Sequence, residues 1–247
     1  MALLGVGLMT ATPSGATELK VLTAGAFKEI LLALVPGFET ATGHKVVLDN
    51  ATVGVLMRRI ESGEAFDLAV LGPGAIDELI AKGKIAAGTR ATLARVGIGV
   101  VVKAGAPKPD IATVDDFKRA LLAAKSVAYI DPAAGGSSGI YVAKLLQQLG
   151  IAEVVNAKAK LIQGGAVAEH IADGEAELGL HQISEILPIK GVTLVGPLPA
   201  AIQNYTVYAA GIAAAAHEPA AARALIDRLA GPDAAAVLQA KGMEPAS

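Results

Sequence analysis

Residues 19–80 read LKVLTAGAFKEILLALVPGFETATGHKVVLDNATVGVLMRRIESGEAFDLAVLGPGAIDELI, and this stretch decides the fold. Leu19–Ala24 is a short apolar run that predicts a strand. Phe27, Ile30, Leu31 and Leu34 follow with the i, i+3, i+4, i+7 spacing of one helix face. Pro36, which lacks an N–H, is expected to end or kink that helix. Lys45–Leu48 predicts a second strand. Val53, Leu56, Met57 and Ile60 repeat the helical stripe. Asp67–Leu71 predicts a third strand, and Gly72-Pro73-Gly74 leads into a helix over Ile76, Leu79 and Ile80. The order β-α-β-α-β-α is that of a parallel sheet covered by helices.

The same alternation continues outward. Arg95–Lys103 is the longest strand candidate, followed by a helix near 114–124. Further strands are expected at Ser126–Ile130, Lys160–Ile162, Glu177–Gln182, Val192–Val195 and Tyr205–Ile212. Helical stripes run over Val142, Leu145, Leu146 and Leu149, and over Val167, His170 and Ile171. Two last helices begin at Pro219 and Pro232, a favoured first-turn position for proline. Nine strands fit two α/β lobes better than one open sheet. Residues 17–95 plus 200–247 are expected to form one lobe and 96–199 the other.

Composition narrows the function. The chain has 247 residues, 53% apolar and 18% charged, so it folds around a core rather than staying disordered. Its 21 basic and 23 acidic residues give a net charge of −2, which argues against nucleic-acid binding. With no cysteine, thiol catalysis, cysteine-bound metal and disulfides are excluded. The four histidines (44, 170, 181 and 217) show no ligand spacing, so neither metal nor cofactor is expected. Residues 2–10 form an apolar run too short to span a membrane, which takes about 20 residues. Ser14-Gly15-Ala16 follows as a small-x-small pattern. Together they predict a leader over residues 1–16, cut after Ala16, and an exported, periplasmic protein.

Candidate site residues sit where strands hand over to helices. The junctions are Gly25-Ala26, Thr52-Val53-Gly54, Gly135-Gly136-Ser137-Ser138-Gly139 and Gly164-Gly165-Ala166. Each offers free backbone N–H groups at the positive end of a helix dipole. Small residues let a ligand approach the backbone, although they also serve as ordinary caps and turns. Several such ends meeting in one cleft would hold an anion without a buried cation. Gly135–Gly139 also fits G-x-S-x-G, the hydrolase nucleophile elbow, but Asp131–Ala134 separates it from its strand and nothing places a histidine beside Ser137. His170 is expected to be packed and hydrogen-bonded. His181 and Gln182, at a strand end, are open to ligand contact or structural support. Arg58 and Arg59 read as a solvated helix face or as a carboxylate clamp.

LKVLTAGAFKEI, RRIESGEAFDLAVL, DPAAGGSSGIYVAKLL, DGEAELGLHQISEI and VTLVGPLP together resemble the molybdate-binding proteins of bacterial ABC importers. The resemblance covers nearly the whole chain after residue 16. It implies a type II periplasmic-binding-protein fold, two α/β lobes around a central cleft. It implies a small anionic ligand, either a molybdate-like oxyanion or an organic acid, and a membrane permease as partner of a monomeric binding protein. The family's first serine falls on Ala26, its second on Thr52, its third contact on Ser138, its fourth near Gly165 to Val167, and its tyrosine on Gln182. A relative of the fold isomerises aconitate. An isomerase therefore stands beside the transport reading, with His181 or Glu185 as the base. The ligand-binding set implied is Gly25, Ala26, Thr52, Val53, Gly54, Ser137, Ser138, Gly139, Gly165, Val167, His181 and Gln182.

Overall fold

A computed structural model describes residues 17–246 of the chain, so the leader expected over 1–16 lies outside the described residues. β1 (Glu18–Ala24), β2 (Lys45–Ala51) and β3 (Leu68–Leu71) lie parallel, with β1 in the middle. α1 (Lys28–Thr42), α2 (Val53–Glu61) and α3 (Pro73–Ala81) follow them in turn. α1 does not stop at Pro36. That residue is exposed, while Leu34 and Phe38 on either side are buried and hold the helix to the core. The missing N–H therefore falls on the solvent side, and the helix ends instead at Gly43, whose φ of 77° suits a C-terminal cap.

β3 meets β9 (Tyr205–Ile212) antiparallel, and β9 pairs in turn with residues 91–97 of β4 (Ala91–Lys103). Beyond residue 97, β4 changes neighbours. Ile98–Val102 pair with β7 (Leu178–Gln182), and Gly99–Lys103 pair with β8 (Val192–Pro197). β7 runs parallel to β5 (Val127–Ile130), which runs parallel to β6 (Ala159–Ile162). The strands thus form one hydrogen-bonded series, β2-β1-β3-β9-β4-β7-β5-β6, rather than two separate sheets. The physical reason is the length of β4, whose 13 residues, mostly buried, reach through both halves.

The core divides along β4. Up to Val96, and again from Tyr208 onward, buried residues pack into two clusters around Phe27 and Leu56. From Ile98 to Leu198 they pack into two others around Phe117 and Val167. α4 (Val114–Ala123), α5 (Ser137–Gln148), α6 (Ala152–Asn156) and α7 (Val167–Ala172) cover the second half. α4 opens with a capping box between Thr113 and Asp116. α8 (Ile183–Ile186) links the halves: Ile183 packs on the first and Ile186 on the second. α9 (Pro219–Ala230) and α10 (Pro232–Ala240) return to the first half. Asp67 fixes the approach to α9. Its carboxylate accepts from Lys20 N at 2.8 Å and His217 N at 2.7 Å, tying β1 to the turn before Pro219. β10 (Glu244–Pro245) pairs with residues 94–95 of β4, a contact too short to carry any pattern in sequence. No helix among the described residues is long and apolar enough to cross a membrane.

Candidate functional site

The C-terminal ends of β1, β2, β5 and β7 converge on a cavity of about 240 Å³ between the halves. This is where ligands enter α/β sheets, because each strand end hands over to a helix with free N–H groups. The N-termini of α2 and α5 face each other across it. Thr52 caps α2 by accepting from Val55 N, and its own hydroxyl donates to the Ala134 carbonyl oxygen on the other side. Gly54 N donates to Gly135 O at 3.2 Å. A Cβ on Gly135 would stand 2.8 Å from the Cα of Gly54, so the approach requires two glycines. The halves are therefore in contact at the rim, and the cavity lies beneath, open to solvent beside Asn50, Gln163, Gly164 and Gly165.

Of the residues expected at the site, Gly25, Ala26, Thr52, Val53, Ser137, Ser138, Gly165, His181 and Gln182 line the cavity. Three do not. Gly54 makes the rim contact just described. Gly139 is turned against β5, where a Cβ would sit 2.1 Å from the Ile130 carbonyl oxygen. Val167 is fully buried in the core of the second half. These three shape the cleft by packing rather than by facing it.

The lining contains no lysine or arginine. Arg59 is held away by ion pairs with Asp49 and Glu64, and Arg59 together with Lys20 pulls the Glu64 carboxyl down to about 2. Arg58 likewise stands outside the lining, so neither arginine forms a carboxylate clamp. What the cavity holds instead is a group of buried polar side chains. Gln182, 1% exposed, donates from Nε2 to Thr206 Oγ1 at 2.9 Å and to Ser137 Oγ at 3.2 Å. Its Oε1 has no partner among the described residues, nor has His181 Nδ1. Each leaves hydrogen-bonding capacity unspent in a place where that is costly. Since the hydroxyls of Ser137 and Thr206 can both donate and accept, the amide can present either of its ends there.

Glu185 is the second feature. It follows His181 by four residues across the end of β7, its side chain is 17% exposed, and its Oε2 lies 3.2 Å from His181 Nε2. A Cβ on Gly25 would fall 2.6 Å from Glu185 Oε1, so the glycine leaves the carboxyl its place. Burial pushes the Glu185 carboxyl up to about 8, against the pull of Lys28, and pushes the His181 imidazole down to about 3. At neutral pH the contact is thus between two uncharged groups, not an ion pair. Tyr208 closes the group. Its phenol is raised first by burial and then by the Glu185 charge, and lowered by its hydrogen bond to Ser137. Tyr208, Asn50 and Gln163 line the cavity but carried no signal in the sequence. Tyr208 stands in mid-strand, and only the pairing of β9 with β3 and β4 brings it here.

Ser137 bonds to Gln182 and Thr206, and no histidine bonds to it among the described residues, so the hydrolase arrangement is absent. His170 is hydrogen-bonded as expected, but at the surface rather than packed, with Nδ1 2.7 Å from Glu175 Oε2. Among the described residues no group of three or more acidic or histidine side chains could hold a metal ion.

The hydroxyls give a direct test. Ser138 is 3% exposed and lines the cavity at the first turn of α5, so Ser138→Ala is expected to weaken ligand binding by about 1–3 kcal/mol. Thr52→Ala should also weaken binding, but by loosening the rim contact, and so should raise the dissociation rate more than Ser138→Ala does. Stopped-flow binding with both variants separates the two. Unchanged affinity in both would remove these residues from the site.

Residues 19–244 match the family model described as bacterial extracellular solute-binding protein. The chain is 35% identical over 252 residues to the aconitate isomerase of a Pseudomonas species, covering 98% of this chain and 95% of that one. It is 31% identical over 253 residues to the molybdate-binding protein ModA of Azotobacter vinelandii, covering 97% and 94%. Among solved structures, the periplasmic molybdate-binding protein of Azotobacter vinelandii superposes with a TM-score of 0.79 at 24% identity, over 93% of this chain and all of the other. The sulfate-binding protein SubI of Mycobacterium tuberculosis superposes with a TM-score of 0.75 at 19% identity, over 94% and 88%. These two superpositions establish the fold.

Proposed function

We infer the function from one premise: the chain belongs to the bacterial extracellular solute-binding proteins, with the type II periplasmic fold shared by the molybdate-binding proteins of ABC importers. On that premise we propose that it is exported, closes its two lobes (17–95 plus 200–247, and 96–199) around a small organic acid, and as a monomer hands that acid to a membrane permease. The observation that carries the choice of ligand is the Glu185 carboxyl in a cavity with no cationic side chain. A fully ionised tetrahedral oxyanion could accept from the protonated Glu185 but has no proton to give Gln182 Oε1. An organic acid reverses the balance. The protonated Glu185 donates to a ligand carboxylate, and a hydroxyl or acid proton on the ligand supplies the partner that Gln182 Oε1 lacks. Ala26 in place of a serine opens room for carbon. Backbone N–H groups at the starts of α2 and α5 take the remaining charge.

A second reading rests on the relative named aconitate isomerase together with a titratable carboxyl in the cleft. Its protein would turn the acid over as well as bind it.

A thermal-shift screen tests the first reading. A ligand at about 1,000 times its Kd adds about 4 kcal/mol, a rise on the order of 10 °C for a chain of this size. Di- and tricarboxylates are expected to give that rise. Molybdate, tungstate or sulfate giving a larger one than every carboxylate would overturn it.

A further inference from the structure

We propose that the cleft binds its organic acid together with one proton, which Glu185 holds between itself and a ligand carboxylate, so that the acid is kept where protons are plentiful and let go where they are scarce. This deepens the reading that the cleft holds an organic acid, and rests on it.

Glu185 is one wall of a cavity of about 240 Å³ whose lining has no lysine or arginine. Gly25 leaves room for its Oε1, where a Cβ would stand 2.6 Å away. The groups that face it bring no positive charge into contact. His181, from β7, lies 3.2 Å from its Oε2 and is held neutral by burial. Tyr208 comes from β9 and is hydrogen-bonded to Ser137 of α5. Asn50 Nδ2, from β2, lies near the same glycine. Lys28, in the first turn of α1, acts only through its charge and stands outside the lining. β4 and α7 also pack on α8, but Arg95 of β4 pairs with Glu244 and His170 of α7 with Glu175. Glu29 of α1 and Lys241 after α10 pair with each other.

A ligand carboxylate brought against this wall therefore meets a second carboxyl with no cation between them. Two carboxylates so placed repel, and one shared proton turns the repulsion into a short O–H···O⁻ hydrogen bond. Ligand and proton are held as a unit. The open side of the cavity, beside Asn50, Gln163, Gly164 and Gly165, lets the proton come from water. In the free protein burial pushes the Glu185 carboxyl up to about 8, so at neutral pH the proton is already in place. Below that value affinity is level. Above it each ligand bound draws one proton from solvent, and affinity falls about tenfold per pH unit.

The test is titration calorimetry of the full chain with citrate, malate, succinate and trans-aconitate, in two buffers of different ionisation enthalpy at each pH. For the acid that binds most tightly, wild-type affinity is expected to fall about tenfold between about pH 7 and about pH 9, while proton uptake rises from near none to near one per ligand. Glu185→Gln carries an amide donor that does not titrate. It is expected to take up no proton at either pH and to change its affinity less than about threefold between them. Lys28→Met removes the charge that favours the ionised carboxyl, so the fall is expected to begin at higher pH. Equal wild-type affinity at both pH values, without proton uptake, would overturn the proposal and leave the binding reading standing. A fall and an uptake that persist in Glu185→Gln, or a fall that begins at lower pH in Lys28→Met, would overturn it as well. Failure of all four acids to bind would overturn both.

Discussion

Gly139→Ala is expected to destabilise the protein by about 3 kcal/mol or more and to abolish ligand binding. In most helices the change would help, because alanine is the better helix former by about 1 kcal/mol. Here the added Cβ would stand 2.1 Å from the Ile130 carbonyl oxygen and 2.8 Å from its carbonyl carbon. Backbone cannot swing aside as a side chain does, so α5 must lift off β5. Ile130 and Ser138 both line the cavity, so the site moves with it. Gly74→Ala provides the contrast. Its Cβ meets nothing within 4 Å, and a gain of about 0.4–1 kcal/mol is expected. Urea denaturation of both variants decides. A Gly139→Ala protein as stable as the wild type would show that the approach of α5 to β5 is looser than described.

The stability of the ligand-free protein is expected to be flat from about pH 4.5 to 6.5 and to fall from about 6.5 to 8. Two buried groups oppose each other. The folded protein keeps the Glu185 proton up to about 8, whereas the unfolded chain releases it near 4.5, so between these values rising pH favours unfolding. The folded protein keeps His181 neutral down to about 3, whereas the unfolded chain protonates it below about 6.5, so between those values rising pH favours folding. Where the windows overlap the slopes cancel. Above 6.5 only Glu185 remains, at about 1.4 kcal/mol per pH unit, or roughly 2 kcal/mol over the window. Glu185→Gln should abolish the fall above 6.5 and expose the His181 rise below it. Denaturation midpoints at half-unit pH steps measure this. Parallel wild-type and variant curves between 6.5 and 8 would show that Glu185 titrates as an ordinary surface carboxylate.

Much of the fold was legible because the strands are compact apolar runs with helical stripes between them. The β1 to α3 alternation follows directly from residues 19–80, and Tyr205–Ile212 keeps its bounds in β9. What was not legible depends on contacts distant in sequence. Pro36 looks like a helix end, and only the burial of Phe38 beyond it carries the helix on. The crossing itself was legible, since the expected lobe boundary at 95–96 falls within β4, but its change of partners in mid-strand leaves no break in the apolar pattern. In the site, strand-to-helix junctions pointed to Gly25, Thr52, Ser137 and Gly165, since small and hydroxyl residues there have a local reason. Gly54 and Gly139 carry the same local signal and Val167 was implied by the resemblance alone, yet all three face packing partners instead of the cavity. Tyr208 and Asn50 had no local signal at all. Glu185 was named only as a candidate base for an isomerase, and its place against Gly25 comes from the fold.

Titration calorimetry of the purified protein with molybdate and with a panel of di- and tricarboxylates tests the central claim most directly. Glu185, Gln182 and Ala26 together predict that at least one carboxylate binds tenfold or more tightly than molybdate, a difference of about 1.4 kcal/mol. Molybdate binding more tightly than every carboxylate would contradict it.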